Sequence, residues 1–319
     1  MENTVFLNSA KLNFDNKLNF SVIDELTTFT KHEESSDQEI LERVKDQAII
    51  ITKELPLGRN LISQFPPSVK LICEAGTGYN NIDIVAAREK NITVCNVPSY
   101  SSEAVAHLVI TYILNFSASL IQRQIMSKQK RIDSFTQHVE LPHFEVQNKT
   151  LGVIGGGGAI GREVIKIALV LGMKILVFSR TQKPWDNPNV HNVSLEELLI
   201  HSDFVTLHCP LTAETLHLID KERVELMKSS AYIINTSRGS IINEPDLIEA
   251  LQNRKIAGAA LDVQDPEPPE PTNPLFDMEN VILTPHIGWR RFESRQRLIE
   301  LMTVNIDSFI QGKLINVVN

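Results

Sequence analysis

Cysteine is scarce in this chain, with three among 319 residues. Cys73, Cys95 and Cys209 lie far apart, form no CxxC pair and have no metal-like spacing, which excludes a disulfide framework and a thiolate metal centre. Each sits in or beside an apolar run, so buried free thiols in a reducing compartment are expected. No two histidines have the spacing of a zinc site, so no metal is expected. Long basic blocks are also missing. None exceeds Lys128–Arg131, and the formal net charge of −8 leaves no electrostatic footprint for nucleic acid. The first residues, MENTVFLNSAKL, lack the charged start and apolar core of a signal peptide, so the chain reads as cytoplasmic. Ala104–Ile121 is uncharged and long enough to raise a membrane question. It contains His107, Thr111, Asn115 and two serines and follows a serine cap, so it reads as a buried domain helix, with His107 a core residue. No internal repeat or low-complexity segment stands out.

What is present is ordinary globular composition, 42% apolar and 22% charged, over a length that favours two domains. Val5–Leu7, Ala48–Thr52, Leu71–Glu74 and Ile92–Asn96 read as short buried strands, with helical patterns between them at Asp37–Val44 and Asp83–Lys90. That alternation predicts an α/β layer structure with a parallel sheet. The long helix over Ala104–Ile121 follows the Val97-Pro98 break, and Gln122–Val146 reads as a polar surface stretch. Leu151–Ile154, Lys174–Phe178, Asp203–His208, Tyr232–Asn235, Ala257–Val263 and Val281–Leu283 read as further strands, and Glu293–Gln311 as an amphipathic helix.

Lys149–Gln182 organises the rest. A short apolar run is followed by Gly155–Gly158, Ala159, Ile160 and Gly161, then a helical pattern and a second strand. Strand, glycine turn, helix and strand at this length bind a dinucleotide pyrophosphate. The glycines let the backbone approach the phosphates, and the helix N-terminus offers free N–H groups to the anion. Gly156, Gly158 and Gly161 fit G-x-G-x-x-G, while Gly155, Gly157 and Gly161 fit the same turn with one residue more, and spacing leaves the register open. After the second strand stand Ser179, Arg180 and Thr181, with Lys183 beyond, where an acidic residue would select NAD. A hydroxyl and a guanidinium suit a 2′-phosphate, so NADP is favoured and NAD is the alternative.

Ligands in an open parallel sheet bind beyond the carboxyl ends of the strands. Arg238, Asp262, Glu267 and His286 fall there, and His208, ending its own strand, faces the same edge. An arginine that clamps a carboxylate, an imidazolium that donates a proton to a carbonyl, and a carboxylate that favours the protonated imidazole are what reduction of a 2-oxo acid requires. His201 and His217 read as surface residues. In the first half, Gly76 and Gly78 of EAGTGYNNID form either a turn that receives an anion or a plain tight turn.

Taken together, EAGTGYNNID, KTLGVIGGGGAIG, DFVTLHCPLT, NTSRG, LDVQDPEP, TPHIG and INVVN make the chain resemble the D-isomer-specific 2-hydroxyacid dehydrogenases over almost its whole length. The resemblance implies a Rossmann-type dinucleotide-binding domain, residues 101–287, inserted in a smaller flavodoxin-like α/β substrate domain, residues 1–100 and 288–319. It implies catalytic roles for Arg238, Glu267 and His286 and places the nicotinamide carboxamide on Asp262. The substrate carboxylate falls on Ala75, Gly76, Thr77 and Gly78. Pro210, Thr236 and Gly288, from the same motifs, complete the expected cofactor contacts. A homodimer joined through the nucleotide domains is also implied. Within the family, GYNNID and PHIGWRRFESRQR look most like glycerate dehydrogenases, or hydroxypyruvate reductases, so hydroxypyruvate and glyoxylate are the expected substrates. A lactate or phosphoglycerate dehydrogenase is the rival enzyme. A non-enzymatic NAD(H)-sensing protein is the rival class, and it would not need the complete acid, clamp and carboxylate set. Departures from the family pattern are the longer glycine turn, Lys53 and Glu54, and the bulky Arg290, Arg291 and Phe292.

Overall fold

The computed structural model describes residues 1–131, 135, 141–181 and 184–319. The chain forms two compact units, one from Met1–Ser101 with Trp289–Asn319 and the other from Ser102–Gly288. In the first, β1 (Asn3–Phe6), β2 (Thr28–Lys31), β3 (Ile49–Thr52), β4 (Leu71–Glu74) and β5 (Thr93–Cys95) form a parallel sheet in the order β2-β1-β3-β4-β5. Because successive side chains point to opposite faces, Phe6, Ile49, Ile51, Leu71 and Cys73 pack with Leu298, Ile299, Met302 and Ile306 of the helix Phe292–Ile310. Val5, Ile50, Ile72 and Val94 pack on the other face with Ile40, Val44 and Leu61. Burial of each such side chain is worth roughly 1.5–3 kcal/mol.

In the second unit, β6 (Thr150–Ile154), β7 (Lys174–Phe178), β8 (Val190–Asn192), β9 (Phe204–Leu207), β10 (Tyr232–Asn235), β11 (Gly258–Leu261) and β12 (Val281–Leu283) form a parallel sheet. Their order is β12-β11-β10-β9-β6-β7-β8, so the winding reverses between β6 and β9. That reversal is the switch point at which a doubly wound sheet opens a crevice for a ligand. The α/β class read from the sequence is the class found.

Several local readings need correction. The strands β2 and β8 have no counterpart in the sequence reading. Both lie at sheet edges, and all of β2 and most of β8 is at least partly exposed, so neither carries an apolar run. The helix expected through Ile121 ends at Ala118, where Ser119 turns left-handed at φ 49°, and a second helix, Leu120–Lys128, leaves at 63°. Part of the stretch read as irregular surface is therefore helical, while residues 132–134 and 136–140 lie outside the described residues. Among the described residues no single helix is long and apolar enough to cross a membrane. His107 is exposed on its helix rather than in the core. The three cysteines are free, and Cys73 and Cys95 are buried neighbours in register, but Cys209 is only half-buried because it lies just past the end of β9 and lines the crevice.

Candidate active site

The crevice at the switch point is floored by the glycine turn after β6. Gly155 takes φ +84°, and a Cβ there would lie 2.7 Å from the backbone of His208 and Cys209. Only glycine allows this close approach of the two strand ends. Gly161 is just as constrained, since its Cβ would lie 2.7 Å from Gly156 Cα. Gly156 is packed under Val177, so the inward position belongs to it; Gly157 has room, a Cβ on Gly158 would lie 3.3 Å from Gly155 O, and both line the cavity. The turn thus uses Gly155 for the bend, Gly158 as the cap of the helix Ala159–Val170, and Gly161 for packing; neither register alone describes it. Ala159, Ile160 and Gly161 form the first helical turn, whose amides are the ones a helix leaves without internal acceptors.

The cavity measures about 540 Å³, within the range of small-molecule sites. Of the expected cofactor residues, Gly158, Ser179, Arg180, Thr181, His208 and Pro210 line it, and Gly156, Ala159, Ile160, Gly161, Thr236, Asp262 and Gly288 do not. Ser179 Oγ accepts the Gly157 amide at 3.1 Å, which ties the end of β7 to the turn. Lys183 lies outside the described residues. Sequence reasoning missed the opposite wall, which includes Thr212, Glu214 and Thr215. The Glu214 carboxyl is held below its usual range by a hydrogen bond from Thr212 and, more weakly, by the charge of Arg180. Two threonines three residues apart just after a strand end were the only signal there.

His208 Nε2 lies 2.9 Å from Thr206 Oγ1, and burial pushes its imidazole down to about 3. It is therefore neutral at physiological pH and is not an acid for the reaction. His208 Nδ1 and Thr236 Oγ1 are buried and have no hydrogen-bond partner among the described residues. Buried polar atoms are rarely left so. Together with the helix-end amides and the cavity, they fit a polar cofactor with a pyrophosphate.

The strand ends next to the switch point carry the other polar groups. After β10, Asn235 Oδ1 accepts the Ser237 amide at 3.0 Å and its Nδ2 donates to Arg238 O at 2.8 Å, fixing the turn that presents Arg238. A Cβ on Gly239 would lie 2.0 Å from Gln264 O, so this turn and the loop after β11 are in backbone contact. In that loop Glu267 Oε1 accepts the Gln264 amide at 3.0 Å, and Oε2 lies 3.0 Å from His286 Nδ1. Both side chains remain partly open, at 24% for His286 and 34% for Glu267. Burial alone would raise the Glu267 carboxyl, but His286, the Gln264 amide and the Arg238 charge outweigh it, so it is held below its ordinary value. Arg238, Glu267 and His286 are thus brought together.

His286 sits in the left-handed region at φ +51°, and its amide donates to Asp262 O at 2.9 Å. The Asp262 carboxylate accepts the Ile287 and Gly288 amides at 2.8 Å each, and also the hydroxyl of Thr284. Tyr112, from the helix Ser102–Ala118, hydrogen-bonds Thr284 in turn. Asp262 and Gly288, expected as cofactor contacts, are therefore already engaged in holding the turn that carries His286. Tyr112 and Thr284 were missed, because a bond spanning so much chain leaves no local pattern.

Replacing Glu267 by glutamine should move the high-pH limb of the reduction rate toward lower pH. The hydrogen bond and charge that hold the Glu267 carboxyl down belong to its ion pair with His286, and a neutral amide cannot form that pair, so the protonated state of the site is lost at lower pH. A pH series of kcat/KM for the two proteins checks this, and an unmoved limb would reassign Glu267 to the loop alone.

In the first unit, the turn after β4 is held by Gly76, whose amide donates to Glu74 O at 2.8 Å and whose carbonyl accepts the Val97 amide at 2.9 Å. Asn96 Nδ2 donates to Thr77 O at 2.6 Å. Among the described residues, the amides of Thr77 and Gly78 meet no acceptor.

Comparison with known proteins gives this geometry its family. Residues 110–288 match the model of the D-isomer specific 2-hydroxyacid dehydrogenase NAD binding domain. A hydroxypyruvate reductase of Blautia hydrogenotrophica is 36% identical over 285 residues, covering 88% of each chain. A glyoxylate reductase from Paecilomyes thermophila has a solved structure with TM-score 0.85 at 30% identity, over 99% of this chain and 98% of that one. An acyclic imino acid reductase solved with NADPH and D-arginine reaches TM-score 0.88 at 26% identity, over 99% of this chain and all of the other. Relatives at this identity across nearly the full length, on the same two parallel sheets, make the chain a member of the D-isomer-specific 2-hydroxyacid dehydrogenase family, an oxidoreductase that uses a nicotinamide dinucleotide.

Proposed function

We propose that this enzyme reduces small 2-oxo acids, hydroxypyruvate and glyoxylate first, to the corresponding 2-hydroxy acids, with NADPH as the favoured cofactor. The observation that carries the chemistry is the 3.0 Å contact of Glu267 with His286 Nδ1. It leaves Nε2 as the atom that delivers a proton. Bound nicotinamide supplies the hydride. Arg238 clamps the substrate carboxylate through its planar fork, His286 protonates the carbonyl oxygen, and Glu267 keeps the imidazole oriented. Asp262, braced by Thr284 and Tyr112, holds the backbone of His286 in place. The substrate class follows the names of the relatives and the likeness of GYNNID and PHIGWRRFESRQR to glycerate dehydrogenases. A homodimer joined through the nucleotide-binding units, working in the cytoplasm, belongs to the same proposal; exposed Leu120, Ile121 and Ile125 on one short helix support a partner surface.

The cofactor preference rests on Arg180. No carboxylate stands at the end of β7 to repel a phosphate, and Ser179 is engaged with Gly157. A charge-assisted hydrogen bond from Arg180 contributes roughly 1.5–3 kcal/mol, or about one to two orders of magnitude in affinity. Glu214, across the cavity, opposes a phosphate once Arg180 is gone. In an assay of NADPH and NADH oxidation over a panel of 2-oxo acids, kcat/KM should favour NADPH, with glyoxylate and hydroxypyruvate as the best substrates. Arg180→Ala should erase most of the cofactor ratio by weakening NADPH alone. A wild type that prefers NADH, or an equal loss for both cofactors, would leave Arg180 as a surface residue or a platform for the adenine.

A further inference from the structure

The strand β3 is followed by a lysine with almost no exposure, Lys53 at 2%. Burying a charge is unfavourable by several kcal/mol unless partners replace the lost water. Lys53 is built in on every side. Asn8 accepts its amide at 2.9 Å and donates to its carbonyl at 2.7 Å. Its Nζ lies 2.6 Å from Glu54 Oε1 and 4.1 Å from the centre of the Trp289 ring, the geometry of a cation over an aromatic face. Glu54 stands at φ +53°, sends its amide to Glu74 Oε1 at 2.9 Å, and meets Lys11 Nζ at 3.1 Å through its other oxygen. Burial works against the Lys53 charge, but Tyr100, Glu54 and Glu74 outweigh it, so the ammonium is held above its ordinary pKa. Burial pushes the Glu74 carboxyl up to about 7.

The position of this charge is the second observation. Nζ and Glu74 Oε1 each lie 3.3 Å from the point where a Cβ on Gly76 would stand, so the ammonium is directly against the turn, beside a carboxyl whose pKa burial has raised. The next two amides, of Thr77 and Gly78, are the ones that meet no acceptor among the described residues. Consecutive free amides over a fixed cation form an anion-binding concavity.

We propose that Lys53 is the fixed cation of an anion site on the Gly76–Gly78 turn, drawing a small carboxylate onto the amides of Thr77 and Gly78. Being buried, it acts through the field and as a brace for the turn, as a positioning residue for the substrate anion. The proposal rests on the reading of this turn as the receiver of the substrate carboxylate and adds the charge that gives the turn its affinity. A unit charge at this range in a protein interior changes affinity for a monoanion by about 10- to 100-fold.

The test is Lys53→Met, which keeps length and apolar contact while leaving Glu54 paired with Lys11. KM for glyoxylate should rise about 10- to 100-fold, with kcat at saturation and the NADPH Kd within a few-fold of the parent, the signature of lost uniform binding. Lys53→Arg should recover much of the loss. A readout free of turnover uses Trp185→Phe, which leaves Trp289 as the single tryptophan of the two in the chain. Oxamate, a carboxylate that is not reduced, should change Trp289 emission in a saturable way, and Lys53→Met should move that titration to at least tenfold higher oxamate. If Lys53→Met does not fold, Lys53→Met/Glu54→Gln removes both charges of the pair and takes its place. An unchanged KM and an unshifted oxamate titration would overturn the role of Lys53 while leaving the enzyme reading intact. A wild type that oxidises NADPH with no 2-oxo acid would overturn the enzyme reading, and the oxamate titration would still decide the anion site.

Discussion

His286→Ala should lower the rate of 2-oxo acid reduction by about two to four orders of magnitude, the usual weight of a positioned acid, with cofactor affinity unchanged. The size follows from how little else is available to give the proton. Glu267 accepts from the imidazole and is ionised, being held below its ordinary range by His286, Gln264 and Arg238 against its burial. The other histidine at these strand ends, His208, is neutral, since burial takes it down to about 3. The Asp262 carboxylate accepts from Thr284 and the Ile287 and Gly288 amides and is committed to the turn. Alanine at φ +51° also strains the turn, so His286→Asn is the cleaner companion, asparagine being tolerant of the left-handed region. The two variants should lose the chemical step alike in single-turnover measurements, while NADPH titrations by fluorescence stay at the parent value. Near-normal turnover in either would remove histidine from the mechanism.

Residues at the ends of buried strands were the ones legible in the sequence. Tyr232–Asn235 and Leu71–Glu74 are apolar runs because these parallel strands are covered on both faces, and Lys174–Phe178 and Val281–Leu283, though less completely covered, are mostly apolar too. Each therefore announces where its carboxyl end falls, and Arg238 and His286 could be placed at one sheet edge from spacing alone. The edge strands Thr28–Lys31 and Val190–Asn192 are largely exposed and carry no apolar run, so they left no trace. The bracing of His286 by Tyr112 through Thr284 and Asp262 was illegible for another reason. It joins a helix to a strand end 172 residues away, and nothing local in either stretch encodes the meeting. Asp262 illustrates the limit from the other side. Its position at the strand end was legible, but not that its oxygens would be taken by the turn after β12.

Arg238→Lys should raise KM for the 2-oxo acid and lower turnover together, reducing kcat/KM by about one to two orders of magnitude, the weight of one charge-assisted hydrogen bond. Lysine keeps the charge but not the planar fork that engages both carboxylate oxygens, so the substrate is held less tightly and less well aligned. Nor can the turn move to compensate. Asn235 bonds it at both Ser237 and Arg238, and Gly239 is already in backbone contact with Gln264. The arginine also sends Nη1 to Ser237 O at 2.7 Å, an anchor that sets the plane of its fork. Because the positive charge that helps depress Glu267 survives in the lysine variant, the pH profile should stay where it is. That separates this variant from Glu267→Gln, which should shift the profile. Steady-state kinetics at varied acid and fixed saturating NADPH, repeated across pH, reads both quantities. Weakened NADPH binding with an unchanged KM for the acid would instead assign Arg238 to the nucleotide.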